Sequence, residues 1–181
     1  MRMARLILIR HCESSGQAPD APLTEAGARA AEALADRLAV LAPDAVYSSP
    51  YLRARTTVQP FADRAGLAIV EDARLHERVL SATPLDDWLD HVRRSYEDLD
   101  HVAGAGGESL RATQTRALAA LADIVARGHH LPAVASHGNL ISSVLRAADP
   151  EFGFEAWRGL KNPDLFELEF DGPRLVSYQR L

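Results

Sequence analysis

Arg10 and His11 directly follow the apolar run Leu6-Ile7-Leu8-Ile9, and Ser136-His137-Gly138 follows a second run ending at Ala135. A third short run, Ala45-Val46-Tyr47, leads into Ser48-Ser49-Pro50, with Arg53 shortly beyond. Apolar runs of this length read as strands buried on both faces. In a parallel sheet, the residues just past the carboxyl ends of the strands border the ligand crevice. Two histidines and two arginines thus converge on one edge. Such a set suits a dianionic phosphate better than a neutral or cationic ligand, because guanidinium and imidazole groups donate charged hydrogen bonds to oxyanions.

The elements that must position these groups are legible from periodicity. Thr24 can cap a helix whose apolar residues Ala26, Ala30, Leu34, Leu38 and Leu41 recur at helical spacing until Pro43. The spacing predicts further helices over 51–65, 84–99, 108–127 and from 138 to about 147. Leu67 to Val70 reads as a strand, 71–80 as a loop, and Leu165 to Phe170 with Leu175 to Tyr178 as a terminal hairpin around Gly172-Pro173. Strands alternating with helices predict an α/β fold. Its form is a three-layer sandwich, with a mainly parallel central sheet, helices on both faces and a C-terminal antiparallel hairpin. The 181 residues suit one domain, 1–181.

Hydrophobic residues make up 47% and charged residues 25%, as in an ordinary soluble globular chain. The formal net charge of -5 disfavours nucleic acid and anionic membrane as partners, so any anion site must be local. No apolar stretch is long enough for a membrane span or a signal-peptide core. The single cysteine, Cys12, excludes an internal disulfide, and no Cys/His spacing suggests a metal. A cytoplasmic protein is expected, with no metal and no cofactor. Its oligomeric state is not legible.

The motifs then carry a specific resemblance. Arg10-His11-Cys12-Glu13-Ser14 resembles the Arg-His-Gly-Glu-Ser/Thr signature of the histidine phosphatase superfamily, the phosphoglycerate mutase-like group. Leu23-Thr24-Glu25-Ala26-Gly27 matches its Leu-Thr-x-x-Gly element, and the stretch from Ser48 through Arg53 to Thr57 its Ser-x-x-x-x-Arg-Ala-x-x-Thr element. Leu75-His76-Glu77, Gly106-Gly107-Glu108-Ser109 and Ser136-His137-Gly138 are similar to three more, in the same order.

The resemblance implies a phosphomonoester hydrolase that forms phosphohistidine on His11. Arg10, Arg53 and His137 hold phosphate oxygens and Glu77 donates the proton. Glu13 is the alternative acid. Ser48 is a minor phosphate contact or a cap, amides after Gly138 are further phosphate contacts, and Gln17 stands where the family often carries a phosphate-binding asparagine. Cys12 replaces the usual glycine, as a packed residue or as an oxidisable thiol. The expected partner is a small phosphorylated molecule. The same resemblance admits a phosphoglycerate mutase, although 181 residues leave little room for the inserted segments of that branch. A non-catalytic phosphate-binding module on the same fold is a further alternative. Glu108 reads as a helix N-terminal acid, Trp88, Tyr96, His76 and Arg78 as packing or substrate contacts, and the remaining histidines as surface or loop residues.

Overall fold

A computed structural model describes residues 3–181. Along the chain come β1 (Met3–Arg10), α1 (Glu25–Leu41), β2 (Ala45–Ser48), α2 (Leu52–Ala65) and β3 (Ile69–Glu71). They are followed by α3 (Trp88–Glu97), α4 (Leu110–Ala126), β4 (Pro132–Ser136), α5 (Gly138–Ala148), α6 (Phe154–Arg158), β5 (Asp164–Asp171) and β6 (Arg174–Arg180). The six strands form one sheet in the order β3-β2-β4-β1-β5-β6. β3, β2, β4 and β1 are mutually parallel, while β5 runs antiparallel to β1 and β6 antiparallel to β5. The expected sandwich and terminal hairpin are both present.

The run 6–9 is continuous rather than alternating because β1 is central and covered twice. Leu6 and Leu8 pack with α4 and α5 residues such as Leu121 and Val144, whereas Ile7 and Ile9 pack with Leu34, Ala35 and Val58 of α1 and α2. All four are fully buried, each stabilising the fold by roughly 1.5–3 kcal/mol. This is the layer that holds Arg10 and His11 at the sheet edge.

Local chemistry sets the helix ends. Thr24 Oγ1 accepts from Gly27 N at 3.0 Å and Ser109 Oγ from Ala112 N at 3.1 Å, both as N-caps. Gly66, at φ 66°, closes α2 in the left-handed conformation. Differences from the expected elements lie where periodicity is weak. α3 begins at Trp88 rather than at 84, a short 3-10 turn occupies Ala73–Leu75 within the expected loop, and α6 falls on residues whose pattern predicts no element.

Candidate active site

The first strand ends on Arg10, whose Nη1 donates to the Leu160 carbonyl at 2.9 Å, and the chain then turns inward at His11. Only 7% of His11 is exposed. Its Nδ1 lies 2.6 Å from the Cys12 carbonyl, which can only accept, so Nδ1 carries the proton. Neutral His11 therefore keeps its lone pair on Nε2, and Arg53 Nε donates to that atom at 3.2 Å. Burial pushes the His11 pKa down to about 4, with the Arg53 and Arg10 charges adding to the fall against the opposing Cys12 bond. At neutral pH the imidazole is uncharged and its free nitrogen is aimed at a guanidinium.

Arg53 reaches His11 from α2 although it is only 1% exposed. Its Nη1 donates to the carbonyls of Gln17 and Ala18 at 3.1 and 2.9 Å, and its guanidinium carbon lies 5.0 Å from the centroid of the Tyr51 ring. Thr57, one turn on, accepts from the Cys12 amide at 2.8 Å, which ties the helix to the chain beside His11. Arg55, two residues from Arg53, points away and pairs with Glu71.

His137 opens α5 behind His11, with ring centroids 5.2 Å apart. It is fully buried, its Nε2 is 2.7 Å from Ser49 Oγ, and its Nδ1 has no partner. Burial holds its pKa well below the usual imidazole value, and the neighbouring His11 and Arg53 act the same way. Gly138 gives room for Arg10, because a Cβ there would sit 3.1 Å from the guanidinium. The helix amides beyond it are engaged differently from the expected phosphate cradle. Glu77 Oε2 accepts from Asn139 N and Oε1 from Leu140 N, both at 3.1 Å, while Oε1 also takes Arg78 N at 2.8 Å. A carboxylate has about four lone-pair positions. Three are used, and the fourth, on Oε2, remains.

Arg10, His11, Arg53, Glu77 and Gly138 line a cleft of about 1130 Å3, with Tyr51 and Asn162 beside them, while His137 lies behind this wall, fully buried. Glu13 and Gln17 also reach the wall, but the Glu13 carboxylate accepts from Thr24 Oγ1 at 2.8 Å and Gln17 serves Arg53 through its carbonyl. Ser48 is not brought to the cleft. Its buried hydroxyl donates to the Ser49 carbonyl at 2.8 Å, and Ser49 instead contacts His137. Cys12 is fully buried and burial raises its thiol to about 11, so it packs and stays protonated.

Three contributors escaped the sequence reading, Ser49, Asn162 and Arg116, and a fourth, Glu108, has a role other than the one read there. Asn162 Nδ2 donates to the His11 carbonyl at 2.7 Å from a segment far along the chain. Glu108 does not act as a helix-dipole acid. It grips Arg116 through both oxygens at 2.7 and 2.9 Å, and Arg116 Nη1 binds the carbonyls of Arg74 and His76 at 2.6 and 2.9 Å. Together they brace the segment that carries Glu77. Only an acid and a base at a helical offset hinted at this.

The family model described as histidine phosphatase superfamily (branch 1) matches residues 6–178. The chain belongs to the histidine phosphatase superfamily. Among curated members, it is 30% identical over 173 residues to glucosyl-3-phosphoglycerate phosphatase of Mycolicibacterium vanbaalenii, covering 81% of this chain and 75% of that one. It is also 30% identical over 128 residues to phosphoserine phosphatase 1 of Hydrogenobacter thermophilus, covering 63% of this chain and 61% of the relative, just short of two thirds of its length. A solved phosphoglycerate mutase from Bacillus anthracis superimposes with a TM-score of 0.83 at 18% identity, over 99% of this chain and 93% of that one, a likeness of fold. In this histidine phosphatase, His11 and His137 stand side by side just past the ends of β1 and β4.

Proposed function

We propose that this chain hydrolyses phosphomonoesters by passing the phosphoryl group through His11 to water. The observation that carries the reading is the tautomer of His11: Nδ1–H is committed to the Cys12 carbonyl, which leaves Nε2 as the nucleophile. In the resting site Arg53 Nε–H holds that lone pair. An arriving phosphate accepts the same hydrogen bond, so Arg53 moves from nucleophile to substrate oxygen and frees Nε2 for in-line attack. Arg10 and His137 complete the hold on the non-bridging oxygens, where charge-assisted bonds are each worth roughly 1.5–3 kcal/mol.

Glu77, held by three amides with one lone-pair position spare on Oε2, is suited to protonate the leaving oxygen and then to take a proton from water. That spare position favours an enzyme over a binding module, which needs the arginines and no proton carrier. Hydrolysis is preferred to a mutase reaction because the likeness to the mutase is of fold alone. The reaction needs no metal in this scheme. The setting proposed is the cytoplasm, where the lone buried thiol of Cys12 stays reduced.

The test is release of phosphate from an aryl phosphate in the presence of a chelator, with rapid quench to trap the intermediate. Acid-labile, base-stable phosphate on His11 is expected, and none in His11→Ala. Robust turnover by His11→Ala refutes the assignment.

A further inference from the structure

The cleft reaches well beyond the groups around His11, and its far wall is the segment from Val79 to Trp88. Leu80, Pro84, Leu85 and Trp88 line it there, whereas the neighbouring acids Asp86, Asp87 and Asp90 stay outside the wall. Asp87 turns instead toward His91, 3.4 Å from its Nε2. Two hydroxyls also border the cleft, Ser81 and Thr83, and they are spent on each other. Ser81 Oγ accepts from the Thr83 amide at 3.2 Å and lies 3.4 Å from Thr83 Oγ1. The wall is thus apolar by sorting, with the charges of this segment turned away from the space.

Both tryptophans of the chain border the same space. Trp88 is the first residue of α3 and is 46% exposed. A scattered exposed apolar side chain is ordinary, but an indole continuous with an apolar cleft wall marks a ligand surface. Trp157 comes from α6, where its ring stacks on Phe154 with centroids 5.4 Å apart. Phe154 is buried with Val92 and Tyr96 of α3, so the two helices that carry the indoles share one apolar cluster. The wall between them is also fixed from behind. The Val79 carbonyl accepts from Glu108 N at 2.7 Å and the Ala105 carbonyl from Ala82 N at 2.9 Å, and a Cβ at Gly107 would collide with the Leu80 carbonyl.

We infer that the alcohol part of the substrate is apolar beyond its ester oxygen and lies against Trp88 and Trp157 while the phosphate sits at His11. This rests on the phosphatase reading and narrows it to one class of ester. Indole rings offer a large apolar area that a hydrocarbon or aromatic group covers without needing a hydrogen bond. A sugar phosphate brings hydroxyls to a wall whose own hydroxyls are taken, and each hydroxyl that loses water without a partner weakens binding.

The test compares cyclohexylmethyl phosphate with glucose 6-phosphate, which has a hydroxylated ring on the same linker, and with inorganic phosphate, which reaches only the His11 end. Dissociation constants are measured by calorimetry on His11→Ala protein, which binds without turnover. The apolar ester is expected to bind at least about 10-fold more tightly than glucose 6-phosphate, the worth of about two buried methylenes. At saturation this ester, and not inorganic phosphate, should shift the indole emission to shorter wavelength. In the same background, Trp88→Ser with Trp157→Ser is expected to bring the ratio of the two esters close to one and to leave the affinity for inorganic phosphate unchanged. Equal affinities, a preference for the sugar ester or an unshifted spectrum overturn the proposal before either tryptophan is changed, and so does a preference that survives both substitutions. Should the paired variant lose inorganic phosphate as well, Trp88→Ser alone, at an exposed position, must lower the ratio at least about 3-fold, and an unchanged ratio overturns the proposal. Turnover of phenyl phosphate by the unmutated protein judges the phosphatase reading separately.

Discussion

Burying the neutral His11 imidazole makes the fold acid-sensitive by a calculable amount. The His11 pKa stands at about 4 in the folded protein against 6.5 in an unfolded chain. The folded value is the lower one, so the unfolded chain binds more protons between these limits and stability falls as pH drops through them. Above pH 6.5 the contribution is whole. From pH 7 to pH 5 the difference in proton uptake integrates to about 1.8 kcal/mol for this one group. With a urea slope of about 2 kcal/mol/M, the unfolding midpoint drops by about 0.9 M. The perturbation is His11→Gln, which removes the titrating group and retains an amide of similar reach. The acidic side chains contribute in both proteins, and His137, although it loses the His11 charge that helps lower its pKa, is still held down chiefly by its burial. Urea unfolding at pH 7 and pH 5 should show the unmutated protein losing about 0.9 M more than the variant. Equal losses would mean that His11 is not held neutral by its surroundings, and the argument for an available Nε2 fails with it.

Other consequences are as direct. Arg53→Met removes a positive charge that lowers the His11 pKa, so an NMR titration of the His11 ring should move upward, and kcat/KM for an aryl phosphate should fall by at least about 100-fold from the lost hydrogen bonds. Arg116→Met frees the carbonyls of Arg74 and His76 and leaves Glu108 half-buried without its partner; chemical denaturation should show a loss of about 2 kcal/mol, and kcat should fall more than KM changes because Glu77 loses its footing. Gly27→Ala places a methyl group against the Glu13 carbonyl at the start of α1; despite the better helix propensity of alanine, a net cost of about 1–3 kcal/mol is expected in the same assay. A stable, fully active Gly27→Ala protein would mean that the 13–17 loop is free to move aside.

The features written locally were legible. The run 6–9 announced a doubly covered strand because β1 is central, and Thr24 announced its helix because a cap needs only its own hydroxyl and an amide three residues on. His11 and His137 could be set side by side because β1 and β4 are neighbours whose ends align, with Arg10 opposite Ser136. The rest depends on partners remote in sequence. Asn162 meets His11 across 151 positions, and no periodicity marks it. Glu77 is visible as a residue type, but two of its three amide partners, Asn139 and Leu140, depend on how α5 begins, and from sequence alone those amides look free for phosphate. Ser48 and Ser49 are adjacent and chemically alike; the strand's alternation decides which one faces His137.

The position of β1 also governs when the protein acquires its chemistry during synthesis. One edge of that strand pairs with β4 and the other with β5, from Met3 opposite Asp171 to Arg10 opposite Asp164. The Leu160 carbonyl and the Asn162 amide that steady Arg10 and His11 belong to the same late portion. A nascent polypeptide that has emerged only as far as α5 holds His11 just past a strand with one bare edge. Competence arrives only once β5 has left the ribosome. A nonsense mutation anywhere before β5 thus leaves β1 with one bare edge and Arg10 and His11 without these two braces.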